Sequence, residues 1–127
     1  MATFTLLEWV EALESGDYPQ GRLRLRKHGK HCCLGVACVV AGVESYFETA
    51  GNSDVFCFSE VFSDSVGWPI AARGLLNAAA TKWESSPNHH VGLYYEVMDM
   101  NDSGKSFAEI AQRIRECCPD LSVEITL

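Results

Sequence analysis

The apolar positions of this chain recur at two periods, and each predicts its own kind of element. From Thr5 to Ser15, Leu6, Trp9, Val10 and Leu13 return at three- and four-residue spacing, which predicts an amphipathic helix. Thr5 and Glu8 have the spacing of a capping box, and Gly16 supplies the stop. A turn over Gly16-Asp17-Tyr18-Pro19-Gln20-Gly21 then leads to Leu23 and Leu25, which alternate with Arg22, Arg24 and Arg26. That period of two predicts a half-buried strand with an arginine face. His28-Gly29-Lys30 follows as a turn, and Cys33 to Val40 is apolar enough for a buried helix ended by Gly42.

The second half is read in the same way. Gly51-Asn52-Ser53-Asp54 predicts a turn, Val55 to Phe58 a short strand, and Ser59 to Val66 a helical piece ending at Gly67. Pro69 to Trp83 is rich in helix formers, and Ser85 to His90 is a polar loop. Val91, Leu93, Tyr95 and Val97 alternate, so Val91 to Met98 is expected as a strand. Asn101-Asp102-Ser103-Gly104 has the composition of a tight turn, and Ser106 to Glu109 of a second capping box. Phe107, Ile110, Ala111, Ile114 and Cys118 form the apolar stripe of a last helix stopped by Pro119, and Leu121 to Leu127 alternates as a terminal strand. The expected fold is α+β in one domain over residues 1–127. It has a small, mostly antiparallel sheet of the basic, Val91 and terminal strands, with helices packed on one face.

Composition narrows the function classes. A net charge of −7 disfavours extended nucleic acid as a partner, because the phosphate backbone would be repelled. The charge is uneven, however. Five of the ten basic residues lie between Gly21 and Val43, whereas Glu44 to Asp64 holds five acids and no base. The longest apolar run, Cys32 to Val43, is too short to cross a bilayer. The N-terminal residues carry Glu8 and Glu11 and lack the basic stretch of a secretory signal, which predicts a cytoplasmic protein. Among six cysteines, Cys32-Cys33 and Cys117-Cys118 are vicinal pairs, a placement that argues for reduced thiols rather than a disulfide scaffold.

Four fragments carry a family resemblance: WVEALESGDYPQG at Trp9 to Gly21, LR at Leu25-Arg26, CCLGVAC at Cys32 to Cys38, and NDSGKSFAEIAQRI at Asn101 to Ile114. In order and spacing the chain resembles a family of small, largely uncharacterised proteins from phages and bacterial genomes. The resemblance implies a phage or bacterial source and action in the bacterial cytoplasm. It supplies no catalytic residue.

Three chemistries compete for the central stretch. On one strand face, Arg22, Arg24 and Arg26 repel one another unless carboxylates or an anionic ligand neutralise them. Guanidinium forks match phosphate, Gln20 adds amide contacts, Tyr18 offers a ring to stack on a base, and Asn101 and Asp102 offer short polar groups. The leading expectation is therefore a non-enzymatic protein that captures a small anionic ligand, a nucleotide above all, with no cofactor. For a phage protein, sequestration of a host immune signal would follow by analogy. The rival is a thiol enzyme, with Cys32 or Cys33 activated at a helix start and assisted by His31 and Asp102. A structural zinc site is disfavoured, since no Cys-x-x-Cys pair is present. A further alternative makes the acidic Glu44 to Asp64 segment a protein-interaction module. A homodimer is expected without any particular residue to carry it.

Overall fold

The computed structural model describes residues 3–21, 26–27, 30–42, 68, 70–84 and 91–127, with backbone alone at 26–27. Thr3–Thr5 (β1) runs directly into Leu6–Ser15 (α1). The first four N–H groups of any helix lack an acceptor of their own. In α1, capping and the chain's last segment supply them. Thr5 and Glu8 form the reciprocal capping box, with Thr5 N donating to Glu8 Oε1 at 2.9 Å and Glu8 N to Thr5 Oγ1 at 3.1 Å. Leu6 N and Leu7 N donate to Val123 O and Leu121 O, at 3.0 and 2.9 Å. The C-terminal segment thus finishes the first helix, and Glu124–Thr126 (β4) continues by pairing antiparallel with β1. Phe4 and Ile125 face each other in that register, and both are buried.

Arg26–Lys27 (β2) and Lys30–His31 (β3) form a second antiparallel pair that delivers the chain to Cys33–Ala41 (α2). Gly42 ends α2 with φ +81°, a left-handed conformation that suits glycine. Ile70–Ala79 (α3), Leu93–Asp102 (α4) and Phe107–Cys117 (α5) complete the element order. Residues Cys33 to Cys38 of α2 are all buried, and α1 and α4 pack against it. α5 closes the other side of α1 and also packs on α4. Phe4, Trp9, Trp68 and Tyr94 form the aromatic part of the core, with successive ring centroids 5.2–5.9 Å apart. The α+β class holds, with both strand pairs antiparallel.

Two corrections concern Val91 to Met98 and the last helix; in addition, Asn101 and Asp102 of the expected turn close α4, and Lys30 of the expected His28-Gly29-Lys30 turn belongs to β3. Val91 to Met98 is not a strand, because Leu93 opens α4. Its buried residues are Leu93, Tyr94, Val97 and Asn101, which is helical spacing, while Val91 is 56% exposed. The alternation is real, but eight residues fit both periods, and the cue for a helix start is not local. Gly92 has no side chain to cap with, so Asn77 of α3 does so instead, its Oδ1 accepting from Tyr94 N at 2.9 Å. With the Val91 strand gone, the terminal strand pairs with Thr3–Thr5 rather than with the basic strand. The second correction is small: the last helix ends at Cys117, and Cys118 caps it while remaining buried. The expected turns at His28-Gly29 and Gly51 to Asp54, the Val55 to Phe58 strand, the Ser59 to Val66 helix and the Ser85 to His90 loop lie outside the described residues. Among the described residues no helix is long and apolar enough to cross a membrane.

Gly92 and Gly74 give opposite mutational outcomes. Gly92 has φ +123°, and a Cβ there would run into the Asn77 carboxamide. Gly92→Ala should cost about 2–4 kcal/mol, through strain and the lost α4 cap. Gly74 lies within α3, and a methyl group added there would meet nothing within 4 Å, so Gly74→Ala should stabilise by about 0.5–1 kcal/mol. Urea unfolding midpoints of the two variants, measured against the parent chain, check both signs.

Candidate functional site

The head of α2 is where most of the sequence-selected residues meet. Cys32 occupies the N-cap position but forms no side-chain cap. The missing acceptor comes from Asn101 at the end of α4, whose Oδ1 accepts from Cys33 N at 3.1 Å. The same carboxamide reaches the turn before the basic segment. Its Nδ2 donates to Gly21 O at 2.9 Å, and its Oδ1 also accepts from Gln20 Nε2 at 3.0 Å. Gln20 Nε2 makes a second bond, to Lys105 O at 2.7 Å. Asn101 is fully buried, so its bonds hold three segments without competition from water.

His31 is the second hub. Its backbone N–H donates to Pro19 O at 2.8 Å and its carbonyl accepts from Gly21 N at 2.7 Å. Through the β2–β3 register it also faces Arg26. Its ring meets Tyr18 edge-on, with centroids 5.7 Å apart. Gly21 fits tightly here, since an added Cβ would lie 2.9 Å from Lys30 Cβ. Tyr18, Gln20, His31, Cys32, Cys33, Asn101 and Asp102 therefore share one neighbourhood, together with the backbone of Arg26. Arg22 and Arg24 lie outside the described residues, as do His28, His89, His90 and the acidic Glu44 to Asp64 segment.

This geometry changes the expected roles. Gln20 Nε2 and both carboxamide atoms of Asn101 bond to backbone and to each other, so these groups brace the site. Two residues outside the expected site also hold the head of α2. The indole N–H of Trp9 donates to Cys33 O at 2.8 Å, and that of Trp68 to Leu34 O at 3.0 Å. Neither was marked by spacing in the sequence, because each bond joins residues at least 24 positions apart.

The thiols sit as buried core groups, which counts against the rival reading of an activated nucleophile. Burial pushes Cys32 up to about 11, with the Asp102 carboxylate adding to the shift and nearby backbone N–H groups opposing it. Cys33 is raised well above the ordinary thiol range, again by burial first, and its Sγ lies 3.5 Å from Val97 O. Cys38 is raised for the same reason. A helix start lowers a thiol's pKa only where the thiolate is solvated or paired, and here desolvation outweighs it. All five described cysteines are free and buried. Among the described residues no group of three His, Cys, Asp or Glu side chains is placed to hold a metal ion.

The three described arginine side chains are already committed. Arg113 of α5 forms an ion pair with Glu96 of α4, the carboxylate 11% exposed, and Glu96 Oε1 also accepts from Glu84 N at 2.6 Å. Arg115 grips Glu14 with two bonds of 3.1 and 2.8 Å. Arg73 donates to Trp68 O at 2.7 Å and lies 5.0 Å over the Tyr94 ring.

The thiols give a direct prediction. At neutral pH the folded chain should react with iodoacetamide at its five described cysteines about 100-fold more slowly than free cysteine does. Any fast label should fall on Cys57, outside the described residues. A raised folded-state pKa means stability present below the ordinary thiol value of 9.0 and lost as pH rises through about 11. Mass-resolved labelling at stepped pH checks the rates, and urea unfolding across the same pH range checks the loss of stability. Rapid, selective labelling of Cys32 or Cys33 at pH 7 would contradict the assignment.

No match was found among curated proteins or among solved structures. A family model does match, described as a domain of unknown function, DUF8296, and it spans residues 6–118, from the first residue of α1 to the cap of α5. With that match over most of its length, the chain belongs to the DUF8296 family.

Proposed function

We propose that this protein binds a small anionic ligand, a nucleotide above all, without catalysing its conversion, through the arginines that follow Gly21. The observation that carries this reading is the anchoring of both ends of the 22–25 segment. Gly21 and Arg26, the described residues on either side of it, are both held by His31 at the head of α2. Asn101 adds a further bond to Gly21 from the core. Gly21 and the Arg26 backbone are thereby fixed against the head of α2, and contacts made from backbone already fixed lose less to ordering on binding.

The charge inventory supports the same reading. The chain has six arginines, and the three with described side chains are each engaged by groups of the fold. The other three are Arg22, Arg24 and Arg26, clustered in an otherwise acidic chain. Arginine is the residue best matched to phosphate, and Tyr18, half-buried beside His31, offers a ring to a base. The elevated thiol pKa values weigh against the rival reading of a cysteine nucleophile. In a phage setting, which the fragments at Trp9 to Gly21, Cys32 to Cys38 and Asn101 to Ile114 suggest, capture of a host nucleotide signal is the role this chemistry would serve.

Isothermal titration calorimetry of the full chain against a panel of linear and cyclic nucleotides tests the proposal. At least one should give a saturable heat, and the double change Arg22→Ala with Arg24→Ala should weaken it about tenfold or more, with unchanged circular dichroism. Absence of binding heat across the panel at high protein concentration would overturn it, as would undiminished binding by the double variant.

A further inference from the structure

Helix α3 breaks the rule that the other long surface helices follow. The exposed positions of α1 are Leu7, Glu8, Glu11, Glu14 and Ser15, and those of α5 include Glu109, Gln112, Arg115 and Glu116. The exposed positions of α3 are Ile70, Ala71, Gly74, Leu75 and Ala78, without a polar or charged side chain among them. At about 100° per residue these five fall within an arc of about 140°, opposite the buried Ala72 and Leu76. Ile70 is 72% exposed and Leu75 42%. The helix's one charged residue, Arg73, is turned away onto Tyr94 and Trp68 O. Val91 is 56% exposed and extends the patch, since its neighbour Gly92 packs against Asn77 of α3.

We infer that this face of α3 is the contact by which two copies of the chain associate about a two-fold axis. Two observations favour a second copy over another occupant. The first is shape. Ala71, Gly74 and Ala78 form a shallow lane between the larger Ile70 and Leu75, and among the described residues nothing lies within 4 Å of a Cβ placed on Gly74. Two such helices crossing near Gly74 bring the ridges of each onto the lane of the other, which is the self-complementarity an isologous contact requires. The second is charge. Copies with a net charge of −7 repel each other, and they can approach closely only where no carboxylate opposes another. Among the described residues the α3 face meets that condition, while the exposed faces of α1 and α5 carry Glu8, Glu11, Glu14, Glu109 and Glu116.

The patch covers roughly 400 Å² per copy, or about 800 Å² buried in total, which is below the size of a permanent interface and within the weak, reversible class. The association is therefore concentration-dependent, with a dissociation constant on the order of 10–100 µM.

Sedimentation velocity of the full chain from about 5 to 500 µM tests this. The wild type should shift from monomer to dimer across the range. Gly74→Glu, which places a carboxylate on the axis where the fold itself leaves room, should stay monomeric at the top concentration. Its far-UV circular dichroism should be unchanged and its melting temperature no lower than that of the parent chain at low concentration. Ile70→Lys, at the exposed end of the face, is the second variant and should also remain monomeric. A wild type that stays monomeric throughout overturns the inference and leaves the face to a different occupant. Dimerisation of both variants with wild-type affinity also overturns it, by placing the contact elsewhere.

Discussion

A single buried carboxamide joins the parts of this protein that its sequence keeps far apart. Asn101 caps α2 from the end of α4, fixes the carbonyl of Gly21 and receives Gln20, so one side chain holds a helix start, a turn and a loop in register. A buried polar group is costly when unpaired and specific when paired, because the low-dielectric interior punishes each missing bond. Remove Asn101, and Cys33 N, Gly21 O and a donor of Gln20 all lose a partner in one place. The two indoles add to the same point from the opposite side, through the first carbonyls of α2. α2 is thus held at its head by polar bonds and along its length by burial.

Cap location explains which elements were legible in the sequence. α1 and α5 carry their own N-caps, Thr5 and Ser106, each accepting from the N3 amide, and the spacing predicts both with bounds close to those observed. α2 and α4 are capped by asparagines from other helices. α2 was still recognisable, because an apolar run of its length closed by Gly42 leaves few alternatives. α4 was not, since Gly92 gives no start signal and the alternation of Val91 to Val97 imitates a strand. The N-terminal strand escaped notice for a related reason: three residues say little alone, and its partner lies at the other end of the chain. The site was half legible. Tyr18, Gln20, His31, Cys32 and Asn101 each stand out by residue type and do meet, but Gln20 and Asn101 meet as braces. Donor and acceptor types are visible in a sequence, whereas whether those groups are already satisfied is decided by packing.

The thiols make the same point in electrostatic terms. A helix start can activate a cysteine, but Cys32 and Cys33 lie in an apolar run, and burial dominates there and holds both thiols protonated. The arginines divide in the opposite way. Arg113 and Arg115 are consumed by Glu96 and Glu14, and Arg73 by an aromatic ring and a carbonyl. Arg22, Arg24 and Arg26 are the chain's other three arginines, close together in the sequence.

The brace itself can be measured by native-state hydrogen exchange. The Cys33 amide sits at the first position of a helix, where N–H groups without a partner exchange rapidly. Because Asn101 holds it in the core, it should exchange only with global unfolding in the wild type, with the Gly21 amide similarly protected through His31. In Asn101→Ala its protection should fall by about 100-fold or more. Rapid exchange at Cys33 in the wild type, or protection unaffected by the substitution, would contradict the account.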